Sequence, residues 1–131
     1  MKWRGWLLLL AIICSTVGSA QAEEFNDYLY YRDVNVPPYQ KLREFFDMPD
    51  RPGTYEVTLL SDAMGPLTFR VLRVREEHEQ EVVQRRSYRL ENHEFQITFP
   101  NRSGKDDLIV EIANSNPALT AKISVYVVEL R

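Results

Sequence analysis

Past residue 22 this chain of 131 residues contains no cysteine and no tryptophan. Its one cysteine, Cys14, and both tryptophans, Trp3 and Trp6, fall in the first 22 positions. A disulfide framework, thiol catalysis and a cysteine-ligated metal are thereby excluded from the remainder. Histidine is nearly as scarce: His78 and His93 are the only side chains with an ordinary pKa near neutrality. No Gly-x-Ser-x-Gly is present, and Ser61, Ser87, Ser103, Ser115 and Ser124 occupy ordinary turn or strand positions. The residues that would assemble a hydrolytic site are missing, so no enzymatic activity is expected.

Acidic residues are absent from the first 22 positions, where Lys2 and Arg4 are the only charges. The other 109 residues carry 14 basic and 19 acidic side chains, a formal charge of −5. Backbone binding to nucleic acid needs clustered positive charge, so a nucleic-acid partner is excluded. A stretch of 109 residues is about one ordinary domain.

The beginning of the chain has the layout of a secretory signal. Lys2 and Arg4 precede the apolar run Leu7 to Cys14, and Ala20-Gln21-Ala22 forms a small-x-small cleavage site before Glu23. The run is too short to span a bilayer, which takes about 20 residues. Cys14 follows Ile13 rather than a small residue, so it lacks the lipoprotein pattern. Residues 1–22 are therefore expected to be a signal peptide. The mature protein would be soluble in the periplasm or the extracellular medium, without a membrane span. The compact signal looks bacterial; in a eukaryote, Asn101-Arg102-Ser103 would mark an exposed glycosylated loop.

Residues 23–131 contain no repeat or linker. Seven prolines and three glycines punctuate short runs of Val, Ile, Tyr, Phe and Thr, which favour half-buried strands. Tyr55, Val57 and Leu59 alternate with Glu56 and Thr58. Leu67, Phe69 and Val71 share a face that Arg73 interrupts, which predicts a bulge or a change of buried side. Val82–Leu90 reads as the return strand after a polar tip at Glu76–Glu81, and Glu94–Phe99 as the next strand. Leu108–Ala113 and Ile123–Val128 are apolar on both faces, as central strands are. Tyr39–Met48 is ambiguous: Tyr39, Leu42, Phe45 and Phe46 recur at near-helical spacing, but a strand would put Leu42, Glu44, Phe46 and Met48 on one face, and strand is preferred. The expected architecture is all-β: a single antiparallel β-sandwich, jelly-roll or Ig-like, of about seven or eight strands, with an aromatic N-terminal arm over residues 25–40.

Phe46-Asp47-Met48-Pro49, Gly53-Thr54-Tyr55-Glu56-Val57-Thr58-Leu59, Phe95-Gln96-Ile97, Leu108-Ile109-Val110-Glu111-Ile112 and Ser124-Val125-Tyr126-Val127 together resemble the pre-peptidase C-terminal type of bacterial β-sandwich, or the related Golgi-dynamics type. The segment Asn101 to Asp107 departs from that pattern, where a glycine-rich turn is usual. The resemblance implies an accessory or binding module, usually attached to a secreted enzyme; no cofactor is expected.

Candidate sites follow from residue type. Tyr28, Tyr30 and Tyr31, with Tyr39 beyond them, read either as an edge strand with Tyr30 packed inward or as a tyrosine platform for a sugar or a peptide. Pro37-Pro38 would shield that edge from other chains. Arg85 and Arg89 would share a strand face near Arg73 and Arg75, either in cross-strand pairs with Glu81, Glu91 and Glu94 or facing an anionic partner. Asn101, Ser103, Asp106 and Asp107 make an oxygen-rich loop open to calcium, although it lacks the Asp-x-Asx-x-Asx-Gly pattern. If Val82–Leu90 pairs with Phe95–Phe99, His78 and His93 lie at opposite strand ends and do not converge on a transition metal. The function expected is an exported, non-enzymatic binding or accessory module with a protein or polysaccharide partner in the cell envelope. The alternatives are a secreted inhibitor of a hydrolase using Glu76–Glu81 as a wedge, and a small carbohydrate-active or calcium-dependent binding protein.

Overall fold

The computed structural model describes residues 28–130. The expected signal peptide, the first residues of the aromatic arm and Arg131 lie outside them. Eight strands follow one another: β1 (Tyr28–Val36), β2 (Lys41–Phe46), β3 (Gly53–Ser61), β4 (Leu67–Arg75), β5 (His78–Ser87), β6 (His93–Asn101), β7 (Asp107–Asn114) and β8 (Ala121–Leu130). They form two four-stranded sheets, ordered β1-β8-β3-β6 and β2-β7-β4-β5, antiparallel throughout.

Period-two alternation builds the core. From the first sheet Val34, Val36, Tyr55, Val57, Leu59, Phe95, Phe99, Ile123, Val125 and Val127 turn inward. From the second, Phe46, Leu67, Phe69, Val71, Leu108, Val110 and Ile112 meet them. The segment left between helix and strand is β2, with Phe46 and Met48 buried on one side. The two runs that are apolar on both faces, β7 and β8, are central strands, each with a neighbour on either side. The register between β4 and β5 shifts between Val71 and Leu72, the bulge that Arg73 required.

Two expectations are corrected. The return strand starts at His78 and ends at Ser87, so the six-residue tip shrinks to a two-residue turn, and Tyr88 to Leu90 leave the strand. Both turn residues have positive φ, Glu76 at 50° and Glu77 at 68°, the geometry that matches the twist of a tight hairpin. Glycine or asparagine usually signals that turn, and neither is present. In addition, β5 pairs only with β4, while β6 crosses to the other sheet and pairs with β3. The proposed pairing of Val82–Leu90 with Phe95–Phe99 therefore does not form, and His78 and His93 stand on different sheets.

Antiparallel pairing places the connections 37–40, 62–66, 88–92 and 115–120 at one end of the sandwich. The connections 47–52, 76–77 and 102–106 lie at the other. At the second end Gly104 has φ +74°, and a Cβ there would sit 2.8 Å from the Arg51 carbonyl carbon, so glycine is required. Asn101 is fully buried: its side-chain oxygen accepts from the Gly104 and Asp106 amides at 3.0 and 3.2 Å. The sequon asparagine is thus a structural plug: Arg102, Ser103 and Lys105 of its loop are exposed, but the Asn101 side chain that would carry a glycan is buried.

Candidate functional site

The tyrosine segment divides by face. A register shift in β1 lies between Tyr28 and Tyr30. It leaves Tyr28 and Tyr31 both on the outer face of the first sheet and turns Tyr30 inward. Tyr30 packs on Phe46 with ring centroids 5.2 Å apart, and its hydroxyl donates to the Asp47 carbonyl. The edge-strand reading thus holds for Tyr30. Tyr28 and Tyr31 gather around Tyr126 of β8, at centroid separations of 5.9 and 4.7 Å.

Cross-strand register carries the site over the sheet. Tyr31 faces Tyr126, which faces Thr58, which faces Gln96. The next outward row is Asp33, Ser124, Leu60 and Glu94. Ser124 Oγ donates to Asp33 Oδ1 at 2.7 Å, and the Tyr31 hydroxyl donates to Asp33 Oδ2 at 3.3 Å. Hydrogen bonding with Tyr126, then with Asp33, pushes the Tyr31 phenol above its usual value, so it stays a protonated donor at physiological pH.

Beyond these rows the face sinks into a groove of about 680 Å³, lined among others by Asp33, Asn35, Asp62, Asn92, Glu94 and Lys122. Asp62, Glu94 and Lys122 have no ion-pair partner among the described residues. The groove is fixed from beneath. Ser61 Oγ donates to the Lys122 carbonyl at 2.6 Å and accepts from the Ala63 amide at 3.1 Å. His93 is buried, with Nε2 3.0 Å from the Ala63 carbonyl and Nδ1 2.7 Å from Ser87 Oγ. A carbonyl only accepts, so Nε2 carries a proton toward Ala63, while Nδ1 shares a hydrogen bond with the Ser87 hydroxyl. This Ser87–His93 contact bridges the two sheets.

The other candidates are placed elsewhere. Tyr39 sits in the turn after β1, with φ 55°. Arg85 on β5 lies 5.5 Å over the Phe95 ring. Arg89 has left the strand, so the shared face with Arg85 does not form. Of the expected carboxylate partners, Glu81 is taken by Arg70, at 2.7 Å. Arg73 and Arg75 converge on buried Asp106, with ion-pair distances of 3.0 and 2.6 Å. The oxygen-rich loop spends its oxygens internally: Asp106 on these arginines, Asp107 Oδ1 on the Met48 amide at 2.9 Å, and Asn101 on loop amides. Among the described residues no group of three His, Asp or Glu side chains converges as a metal site.

Tyr126 and the groove residues Asp62, Glu94 and Lys122 escaped sequence reasoning. Alternation alone turns Tyr126 outward, but its meeting with Tyr31 depends on β1 pairing with β8, strands separated by most of the chain.

No family model matches the chain, and no curated protein matches it in sequence. Among solved structures it is similar to the Yersinia pseudotuberculosis-derived mitogen, with TM-score 0.61 and 13% identity over 81% of this chain and 87% of that one. It is also similar to PirA, with TM-score 0.50 and 16% identity over 76% and 93%. A structure described as "CBM4 structure and function" aligns with TM-score 0.45 and 11% identity over 80% and 76%. The first two likenesses define the class, a small β-sandwich. They go no further than the fold, because one sandwich architecture serves many functions.

Proposed function

We propose that the chain is an exported, non-enzymatic binding module that takes a neutral polysaccharide chain on the outer face of its first sheet. The strand order β1-β8-β3-β6 over β2-β7-β4-β5 is read as a jelly roll rather than an Ig-like sandwich. Residues 1–22 are taken as the export signal.

One observation carries the proposal: the Tyr28–Tyr31–Tyr126 cluster adjoins, through Asp33 and Ser124, a groove whose Asp62, Glu94 and Lys122 have no ion-pair partner among the described residues. Tyrosine offers rigid apolar area with a polar tip, suited to the faces and hydroxyls of sugar rings. The groove's amides, carboxylates and ammonium would bond further hydroxyls. Asp33, Asp62 and Glu94 outnumber Lys122 there, so an acidic polymer is disfavoured.

The experiment is calorimetric titration of the exported chain with neutral, amino and acidic soluble oligosaccharides. A neutral ligand should bind, and Tyr31→Ala or Tyr126→Ala should abolish binding with the melting temperature nearly unchanged. Binding that survives both substitutions places the ligand elsewhere. The wedge of the inhibitor alternative, Glu76–Glu81, is reduced to a two-residue turn and the first residues of β5.

A further inference from the structure

The two ends of the sandwich differ in kind. At the end formed by 37–40, 62–66, 88–92 and 115–120, the tips carry Tyr39, Met64, Tyr88, Leu90 and Leu119, each 49–73% exposed. No exposed large hydrophobic residue lies in the connections of the opposite end, where Met48 is buried and the charged residues are of mixed sign: Asp47, Asp50, Glu76, Glu77 and Asp106 with Arg51, Arg102 and Lys105.

The apolar tips are held in place. The Tyr39 amide donates to the Asn116 carbonyl at 3.2 Å, and Asn116 Nδ2 donates to the Met64 carbonyl at 2.9 Å. Asn116 Oδ1 accepts from the Leu119 amide at 2.9 Å, and the Gly65 amide reaches the Leu90 carbonyl at 3.4 Å. Four loops are thus tied through Asn116 and Gly65, so little conformational freedom is left to lose on binding.

Charge supplies the second observation. Arg32, Arg43, Arg51, Arg70, Arg73 and Arg75 all pair with carboxylates. Arg85, Arg86 and Arg89, beside Tyr88 and Leu90, have no carboxylate partner among the described residues. Instead, Arg85 and Arg86 lie over the Phe95 and Tyr88 rings, and Arg89 donates to the Glu91 carbonyl.

We propose that this end docks on an anionic lipid surface, its apolar tips entering the bilayer interface and Arg85, Arg86 and Arg89 meeting lipid phosphates. Tyrosine and leucine are interfacial residues, arginine snorkels to phosphate, and a bilayer requires no matching pocket. This docking does not depend on the sugar reading: it rests on Tyr39, Met64, Tyr88, Leu90, Leu119 and the three arginines, none of which lines the groove, although Asp62 and Asn92 of the groove belong to the same end.

Co-sedimentation with vesicles tests it. The core and both sheets lie within residues 28–130, so a chain beginning at Glu23 carries the whole fold. It should sediment with phosphatidylglycerol–phosphatidylcholine vesicles, less with phosphatidylcholine alone, and less again in high salt. Tyr88→Ser with Leu90→Ser should weaken partitioning by roughly tenfold or more. Met64→Ser, on a separate loop, should shift it the same way and guards against a folding defect. Arg86→Gln with Arg89→Gln should remove the preference for phosphatidylglycerol, while Lys105→Gln at the far end should change nothing. Absence of sedimentation, or sedimentation indifferent to the tip substitutions, overturns the proposal. So does tip-dependent capture of an envelope protein without vesicle binding, which assigns the end to a protein partner.

Discussion

The outer faces of the two sheets are built from the same strand alternation and end in opposite electrostatic states. On the second sheet Glu111 is nearly buried, with Lys41, Arg43 and Arg70 at 3.6, 3.4 and 3.4 Å. Arg43 and Arg70 pair further with Glu79 and Glu81. Around Glu111 that face satisfies its own charges. On the first sheet Asp33 is bonded by Ser124 and Tyr31, but Asp62, Glu94 and Lys122, in the groove beyond the tyrosine cluster, have no ion-pair partner among the described residues. The difference separates a face that contributes to stability from one equipped to bind.

Substitutions should sharpen that contrast, beginning with the largest effect. Tyr30→Ala removes an inward ring packed on Phe46 and should cost about 3 kcal/mol in chemical denaturation. Tyr28→Ala with Tyr31→Ala, on the outer face of the same strand, should stay within about 0.5 kcal/mol of the parent while losing ligand. A double variant that unfolds would make the cluster structural and break the comparison. Next, Glu111→Gln leaves three cations without their central carboxylate and should cost roughly 1–3 kcal/mol, the usual range for a nearly buried charged partner. Glu94→Gln in the groove should be close to neutral in the same assay.

Acid titration yields smaller effects of opposite sign. The Arg75 hydrogen bond holds the Asp106 carboxyl below its ordinary value. Its folded pKa is therefore depressed, so its stabilisation is present above the ordinary carboxylate range and disappears as pH falls through the lowered value. Burial raises Asp107, so its contribution favours the fold at low pH and fades as pH rises through the raised value. Asp107→Asn should thus stabilise the protein at neutral pH, with the gain vanishing in acid, whereas Asp106→Asn should destabilise it at neutral pH. Thermal melts across the acid range check both. Smallest of all, the fully buried Tyr55 hydroxyl has no hydrogen-bond partner, so Tyr55→Phe should change stability by less than about 1 kcal/mol, toward stabilisation.

Strand positions and the central places of β7 and β8 were legible because burial on one or both faces writes itself into period-two patterns. The tight β4–β5 turn was not, since Glu76 and Glu77 adopt positive φ without the residues that favour it. Nor was the switch of β6 to the other sheet, because short connections favour pairing with the preceding strand and only tertiary packing overrides that. The binding face was half legible. Tyr28 and Tyr31 stood out in the sequence, but the one-residue register shift that separates them from Tyr30 is a property of the paired strands. Asp62, Glu94, Lys122 and Tyr126 come from β6, β8 and the turn after β3, and no local pattern joins them.

Amide chemical-shift mapping during titration with a neutral oligosaccharide that binds, found by calorimetry, tests the central claim most directly. Perturbations should concentrate on Tyr31, Asp33, Leu60, Glu94, Ser124 and Tyr126, leaving the amides around Glu111 unmoved. Shifts centred on Arg43, Arg70 and Glu111, or no neutral oligosaccharide that binds at all, would contradict the assignment of the first sheet's outer face as the binding surface.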